Sequence, residues 1–329
     1  MVRNSIGGAF RLLVLAAAVA FALPGNAQNA TTYPTRNVRI IVPFAAGGPP
    51  DVIARVLAQK LSERWGRQVY VEDLPGAGGN TGTANAARAE PDGYTLYMMS
   101  TGFIVNPLIY DRVPYDTKDF AAITLAATSP NVLFVNPSVP AKTVMELIEL
   151  IRHSPGKYSY AQPATGSTPH LTGELLKLHY NLDLATVPYN AGPQAVTSTL
   201  AGHTPIGLVA ISSVVSNIKE GNLRGLAVTA PTRSALLPEV PTVAEAGVPD
   251  LESQTINGLL VPARTPRDIV EKVNRDAIAV LSLPDVKDRL AAQGFDVAFS
   301  TPGEFSALLE SERGKWERVV RDAKIKIGS

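Results

Sequence analysis

The 329-residue chain contains no cysteine, and that one absence removes disulfides, thiolate catalysis, cysteine-based zinc sites and iron–sulfur clusters together. A surplus of either charge is also missing: 30 basic residues face 29 acidic ones, so no field exists to gather nucleic acid or an anionic membrane. The four histidines, His153, His170, His179 and His203, show neither H-x-x-x-H nor H-E-x-x-H spacing, so a zinc site has no support. No G-x-S-x-G nucleophile elbow occurs, and no S-x-x-K stands where a β-lactamase-like serine would need it. No repeat with a period of about 20 to 50 residues is found. What is present, 45% hydrophobic and 18% charged residues, is the profile of a soluble globular protein of about two domains that stands on packing alone.

At the N-terminus Arg3 and Arg11 precede the apolar run 12–23, which is followed by Pro24, Gly25, Asn26 and Ala27. This reads as a secretory signal peptide cleaved after Ala27, with small residues at Gly25 and Ala27. The run is shorter than the ~20 residues needed to span a bilayer, and Gln28-Asn29-Ala30 makes no stop-transfer pattern for an uncleaved anchor. Removing two arginines and no acid takes the formal charge from +1 to −1 and leaves residues 28–329 as an exported protein.

Along that mature chain, short β-branched runs alternate with helical patterns: 38–42, 51–64, 69–72, 81–88 and 95–99. The alternation predicts βαβ units and a parallel sheet. A second series of similar construction spans 132–135, 144–153, 171–179, 185–187, 195–201 and 206–209. Strand-like 225–228 and 255–261 then flank a proline-punctuated stretch. Helical segments close the chain at 269–281 and after Pro284 and Pro302, each of which suits a first helical turn.

Three strand-to-helix turns are the candidate sites. In Val42-Pro43-Phe44-Ala45-Ala46-Gly47-Gly48-Pro49-Pro50-Asp51 the glycines permit close approach and the helix start offers free N–H groups. The turn is either an anion site or a rigid connection without ligand. Asp51 either caps that turn or pairs with the ammonium of an amino-acid ligand. Thr165-Gly166-Ser167-Thr168-Pro169-His170 gathers hydroxyls and N–H groups able to bind one carboxylate, or forms an ordinary N-cap. Val187-Pro188-Tyr189-Asn190-Ala191-Gly192-Pro193 repeats the logic, with Tyr189 walling a pocket or merely packing. Gly76-Ala77-Gly78-Gly79-Asn80-Thr81-Gly82 misses the G-x-G-x-x-G spacing at Thr81, so it reads as a structural turn and not a nicotinamide-cofactor site.

Several of these segments, taken together, resemble one family. Tyr33-Pro34, Ile41-Val42-Pro43-Phe44 with Gly47-Gly48 and Asp51, Thr168-Pro169-His170-Leu171, Val187-Pro188-Tyr189 and the stretch 221–247 occur in the order found in the Bug family, the substrate-binding receptors of tripartite tricarboxylate transporters. The resemblance implies an α/β periplasmic binding protein type II fold, with two lobes joined by crossing hinge strands. One lobe would hold residues 28–128 and 224–329, the other 129–223. It implies a monomer in the periplasm that closes on a small carboxylate, uses no cofactor or metal, binds no nucleic acid and hands its ligand to integral-membrane transporter subunits. Ligand contacts would come from Ala46, Gly47, Gly48 and Asp51, from Ser100 and Thr101, from Thr165, Gly166, Ser167 and His170, from Tyr189 and from Ile211. A common family form of the first loop has Pro where Ala45 and Ala46 stand and Thr where Pro50 stands, so here the loop is stiffer at its helix end and lacks one hydroxyl. An exported hydrolase using Ser167 and His170, or a ligand-loaded sensor for a signalling receptor, are the competing classes.

Overall fold

The computed structural model describes residues 32–327; the expected signal peptide lies outside them. Strands β1 (Val38–Val42), β2 (Val69–Asp73) and β3 (Thr95–Ser100) pair in parallel in the order β2-β1-β3, with helices α1 (Pro49–Trp65) and α2 (Asn80–Ala87) as crossovers and α3 (Gly102–Ile109) after β3. Prolines at the first two positions of α1 preset its opening turn, and Gly66, left-handed at φ 61°, ends it by donating its N–H to Ser62 O. Between those ends Ile53, Leu57 and Leu61, four residues apart, bury one face against Ile40 and Met98 of the sheet.

The 16-residue strand β4 (Phe120–Val135) carries the chain into a second half. There α4 (Val144–Arg152), β5 (Ser159–Gln162), α5 (Thr168–Tyr180), β6 (Ala185–Pro188), α6 (Gly192–Leu200), β7 (Ile206–Ala210), α7 (Ile211–Lys219) and β8 (Arg224–Val228) follow. Strand β9 (Gln254–Pro262) returns, and α8 (Arg267–Leu281), α9 (Pro284–Ala291), β10 (Asp296–Val297) and α10 (Pro302–Asp322) complete the first half. The sheet order is β2-β1-β3-β9-β4-β7-β5-β6, with β8 and β10 also pairing to β4. Pairing is parallel within β2-β1-β3 and β7-β5-β6, as the alternation predicts. It is antiparallel wherever β4 or β9 takes part, so the sheet as a whole is mixed.

One boundary needs correction. Residues 224–251, expected with the first half, pack in the second. Strand β8 pairs with Val132–Val135 of β4, while Leu226, Val243, Val248 and Leu251 share a core with Leu133, Tyr160 and Leu208. Burial of these apolar side chains against β4 and α4 decides their placement, and the chain leaves the second half at β9 rather than at residue 224.

Candidate functional site

The starts of α1 and α5 are built by the same local device. Each follows the C-terminal end of a strand, each is preceded by a glycine with positive φ (Gly47 at 84°, Gly166 at 82°), and each has proline in its first two positions. In both, the side chain four residues after the glycine folds back to accept that glycine's N–H: Asp51 Oδ2 from Gly47 at 2.7 Å, and His170 Nδ1 from Gly166 at 3.0 Å. The Gly48 and Ser167 amides are also held internally, by Ala45 O and Ala164 O. The N–H groups of Gly47, Gly48, Gly166 and Ser167, expected from the sequence to face a ligand, therefore close the loops themselves. Pro49 and Pro50 remove two more from α1.

Asp51 is the cap of its turn. It is buried, accepts Gly47 N–H, and pairs at 2.7 Å with Arg55, which reaches on to Asp73 at 2.7 Å. Burial pushes its carboxyl up, but the Arg55 and Gly47 bonds outweigh that and hold it below the usual carboxylate range. Oδ2 takes the Gly47 N–H and Oδ1 faces the Arg55 guanidinium. Thr101 is likewise committed: its buried Oγ1 accepts Ile256 N–H at 3.0 Å and ties the start of α3 to β9. Tyr189 turns its hydroxyl to Ser198 and Thr204, at 2.5 and 2.8 Å, and packs its ring in the second-half core. The Ile211 side chain is fully buried in that same core, at the first position of α7. Ala46 and Thr165 are exposed on their loops, and Ser100 and Ser167 are half-buried. If Tyr189 only packs, Tyr189→Phe should cost about 1 kcal/mol of stability in a denaturant melt and leave ligand affinity within about twofold of wild type.

The hydrolase arrangement is not assembled. Ser167 Oγ accepts the backbone N–H of His170 at 3.4 Å, whereas the ring of His170 faces Gly166 on one nitrogen and Glu174 Oε1, 3.8 Å away, on the other. Neither nitrogen of that ring is placed to take a proton from the Ser167 hydroxyl.

A different set of polar groups gathers on the crossing strands. Asn131 on β4, Gln162 at the end of β5 and Asn257 on β9 are wholly buried, and among the described residues neither side-chain nitrogen nor oxygen of any of the three meets a hydrogen-bond partner. Thr168 Oγ1, at the first position of α5, is buried and unpartnered as well. Buried polar groups are otherwise nearly always bonded, so these four stand out as exceptions. Strand register places them. Opposite residues of antiparallel strands share a face, which sets Ser100, Asn257 and Ala127 side by side, then Thr255 with Ser129 and Ala210 with Asn131. This face carries α1 over Met98 and Leu259 in the first half and α5 over Leu133 and Tyr160 in the second. A polar row thus runs along the crossing strands from the C-terminal end of β3 to that of β5, beneath the starts of both helices. None of these row residues is cationic. The available signal in the sequence was one amide interrupting an apolar strand, as in Pro130-Asn131-Val132-Leu133 and Ile256-Asn257-Gly258-Leu259.

Comparison with known proteins agrees with this architecture. The family model described as tripartite tricarboxylate transporter family receptor matches residues 53–325. Protein BugT of Bordetella pertussis is 33% identical over 302 residues, covering 91% of this chain and 93% of that protein. The solved structure of R. palustris Rpa4515 with adipate superposes with a TM-score of 0.79 at 31% identity, over 90% of this chain and all of that one. MatC from Rhodopseudomonas palustris with bound malate gives a TM-score of 0.73 at 28% identity, over 88% of this chain and all of that one. Two βαβ-built halves, joined by antiparallel crossing strands and matched over most of the chain, place this protein in the tripartite tricarboxylate transporter receptor family, to which the Bug proteins belong.

Proposed function

We propose that this chain is an exported, periplasmic receptor that closes on a small aliphatic dicarboxylate and presents it to the membrane subunits of a tripartite tricarboxylate transporter, without chemical turnover. The observation that carries this reading is the row of buried, unpartnered groups, Asn131, Gln162, Asn257 and Thr168, beneath the starts of α1 and α5. Residues 32–128 with 254–327 form one lobe and residues 129–253 the other, with β4 and β9 as the hinge between them.

The physics requires no cation. A hydrogen bond from a neutral donor to an anion contributes about 1.5–3 kcal/mol, and a partly buried helix start up to about 2 kcal/mol. Three or four such bonds approach the roughly −8 kcal/mol of a micromolar complex once closure excludes water. Adipate and malate in Rpa4515 and MatC support the ligand class. The signal-peptide pattern and the family support the location and the membrane partner.

A thermal-shift panel tests the reading. A ligand at about a hundred times its dissociation constant should add about 2.7 kcal/mol. Adipate, malate or another dicarboxylate should stabilise the protein, and neutral sugars should not; the reverse pattern would end the proposal. Ser167→Ala removes the cap of α5 and should lower the stability of the free protein by about 0.5–2 kcal/mol in a denaturant melt, the usual contribution of such a cap. Neither form should hydrolyse an ester.

A further inference from the structure

His170 holds the second binding bend together from behind. Its ring is 6% exposed, and an imidazole that accepts Gly166 N–H at Nδ1 carries its own proton on Nε2, which points at Glu174. Glu174 is fixed in turn by Lys177 at 2.9 Å and by the Thr186 hydroxyl at 2.5 Å. Tyr160 Oη, 3.2 Å from the His170 carbonyl and 3.0 Å from Glu174 Oε1, shares its one proton between them. The groups around the ring are therefore Glu174 and Lys177 from α5, Tyr160 from β5 and Thr186 from β6. The α3 helix presents apolar Ile109 and Val105 to the bend, and α10 meets α5 through Leu171 and Leu175. The bend itself is clamped: a Cβ on Gly166 would stand 2.3 Å from Ile109 Cδ1. Gly166 thus has α3 on one side and one histidine acceptor on the other.

We propose that His170 is a positioning residue that couples ligand capture to proton concentration: neutral, it fixes the Gly166 bend in its binding form, and protonated, it releases that bend. The chemistry is a donor–acceptor reversal. A proton on Nδ1 turns the acceptor of Gly166 N–H into a second donor, and two donors cannot share the position. This rests on reading the 164–168 bend as one wall of the ligand site.

Burial drives the ring below its ordinary range, Glu174 opposes that and Lys177 reinforces it. The sign follows from linkage. The closed bend binds fewer protons at His170 than a released or unfolded one, so affinity and stability are level above the ordinary histidine range. Both fall as pH drops from about 6.5 toward the depressed value, affinity by up to about tenfold per pH unit.

Amide hydrogen exchange of the segment 164–171 in the ligand-free, full mature chain, corrected for the intrinsic pH dependence, tests this between about pH 7.5 and about pH 5.5. Wild type should lose protection at Gly166 across that interval. His170→Asn, whose Oδ1 accepts but does not titrate, should keep it. Protection that holds in wild type, or that falls equally in both, overturns the proposal. Should the Asn variant fail to fold, titration of wild type by nuclear magnetic resonance decides instead: the His170 ring and the Gly166 amide must share one midpoint, and separate midpoints overturn it. Adipate isotherms add a second readout, with wild type losing more affinity than His170→Asn at the lower pH and the ligand's own protonation cancelling in the ratio. If adipate and the other organic acids fail to bind even at about pH 7.5, the receptor reading falls, and the exchange result still decides the histidine switch on its own.

Discussion

Replacing Asn131 by leucine and Gln162 by methionine in one protein should raise the stability of the free chain while weakening dicarboxylate binding by about two to four orders of magnitude. Both side chains are 0% exposed without a protein partner, and an unpaired buried amide costs about 1–3 kcal/mol. Near-isosteric apolar groups remove that cost, so a urea melt should shift to higher denaturant. Binding moves the opposite way, because each lost bond to an anion forfeits about 1.5–3 kcal/mol, and every 1.4 kcal/mol is about tenfold in affinity. Opposite signs in the two measurements distinguish a ligand-receiving group from a structural one. A variant that loses stability and affinity together would mean that the two amides serve packing.

The second large effect falls on the hinge. Gly258 sits on β9 where a Cβ would lie 2.2 Å from the ring of Phe305 and 2.7 Å from the backbone oxygen of Thr124. The oxygen belongs to β4, the strand to which β9 is paired, so it cannot retreat without disturbing the β4–β9 ladder. Gly258→Ala should therefore cost about 3 kcal/mol, at the upper end of overpacking penalties. At about 2–4 °C per kcal/mol, the calorimetric midpoint should drop by roughly 6 to 12 °C. Phe305→Leu in the same chain should recover part of the loss, because it removes the ring contact and leaves the backbone one. An unchanged midpoint would contradict the tight approach of the crossing strands.

Much of the scaffold was legible because its elements carry strong periodicity. Strands β1 and β3 and helices α1 and α8 fall within a residue or two of the segments read from apolar spacing. The first twelve residues of β4 did not stand out, since Ala121, Ala122, Thr128, Ser129, Pro130 and Asn131 break any apolar run; only pairing with β9 and β10 makes them a strand. Helix α3 is hidden by Val105 and Pro107, and α7 by its serines and β-branched residues, and in both cases tertiary packing overrides local preference.

The site divides similarly. The glycine–proline turns point to the starts of α1 and α5, but four-residue spacing did not reveal that Asp51 and His170 would claim the glycine amides for themselves. Nor could spacing show that Asn131, Gln162 and Asn257, from three separate strands, meet on one face of the sheet. Their juxtaposition follows from register across crossing strands more than 100 residues apart, information that a local pattern does not contain.

A crystal structure of the protein with adipate bound tests the central claim most directly. The account predicts a carboxylate at the start of α5, its oxygens within about 3 Å of Thr168 Oγ1 and of the Gln162 or Asn131 amide nitrogen, and no lysine or arginine in contact with it. A carboxylate gripped by a cationic side chain, or lying away from the row between the two helix starts, would contradict it.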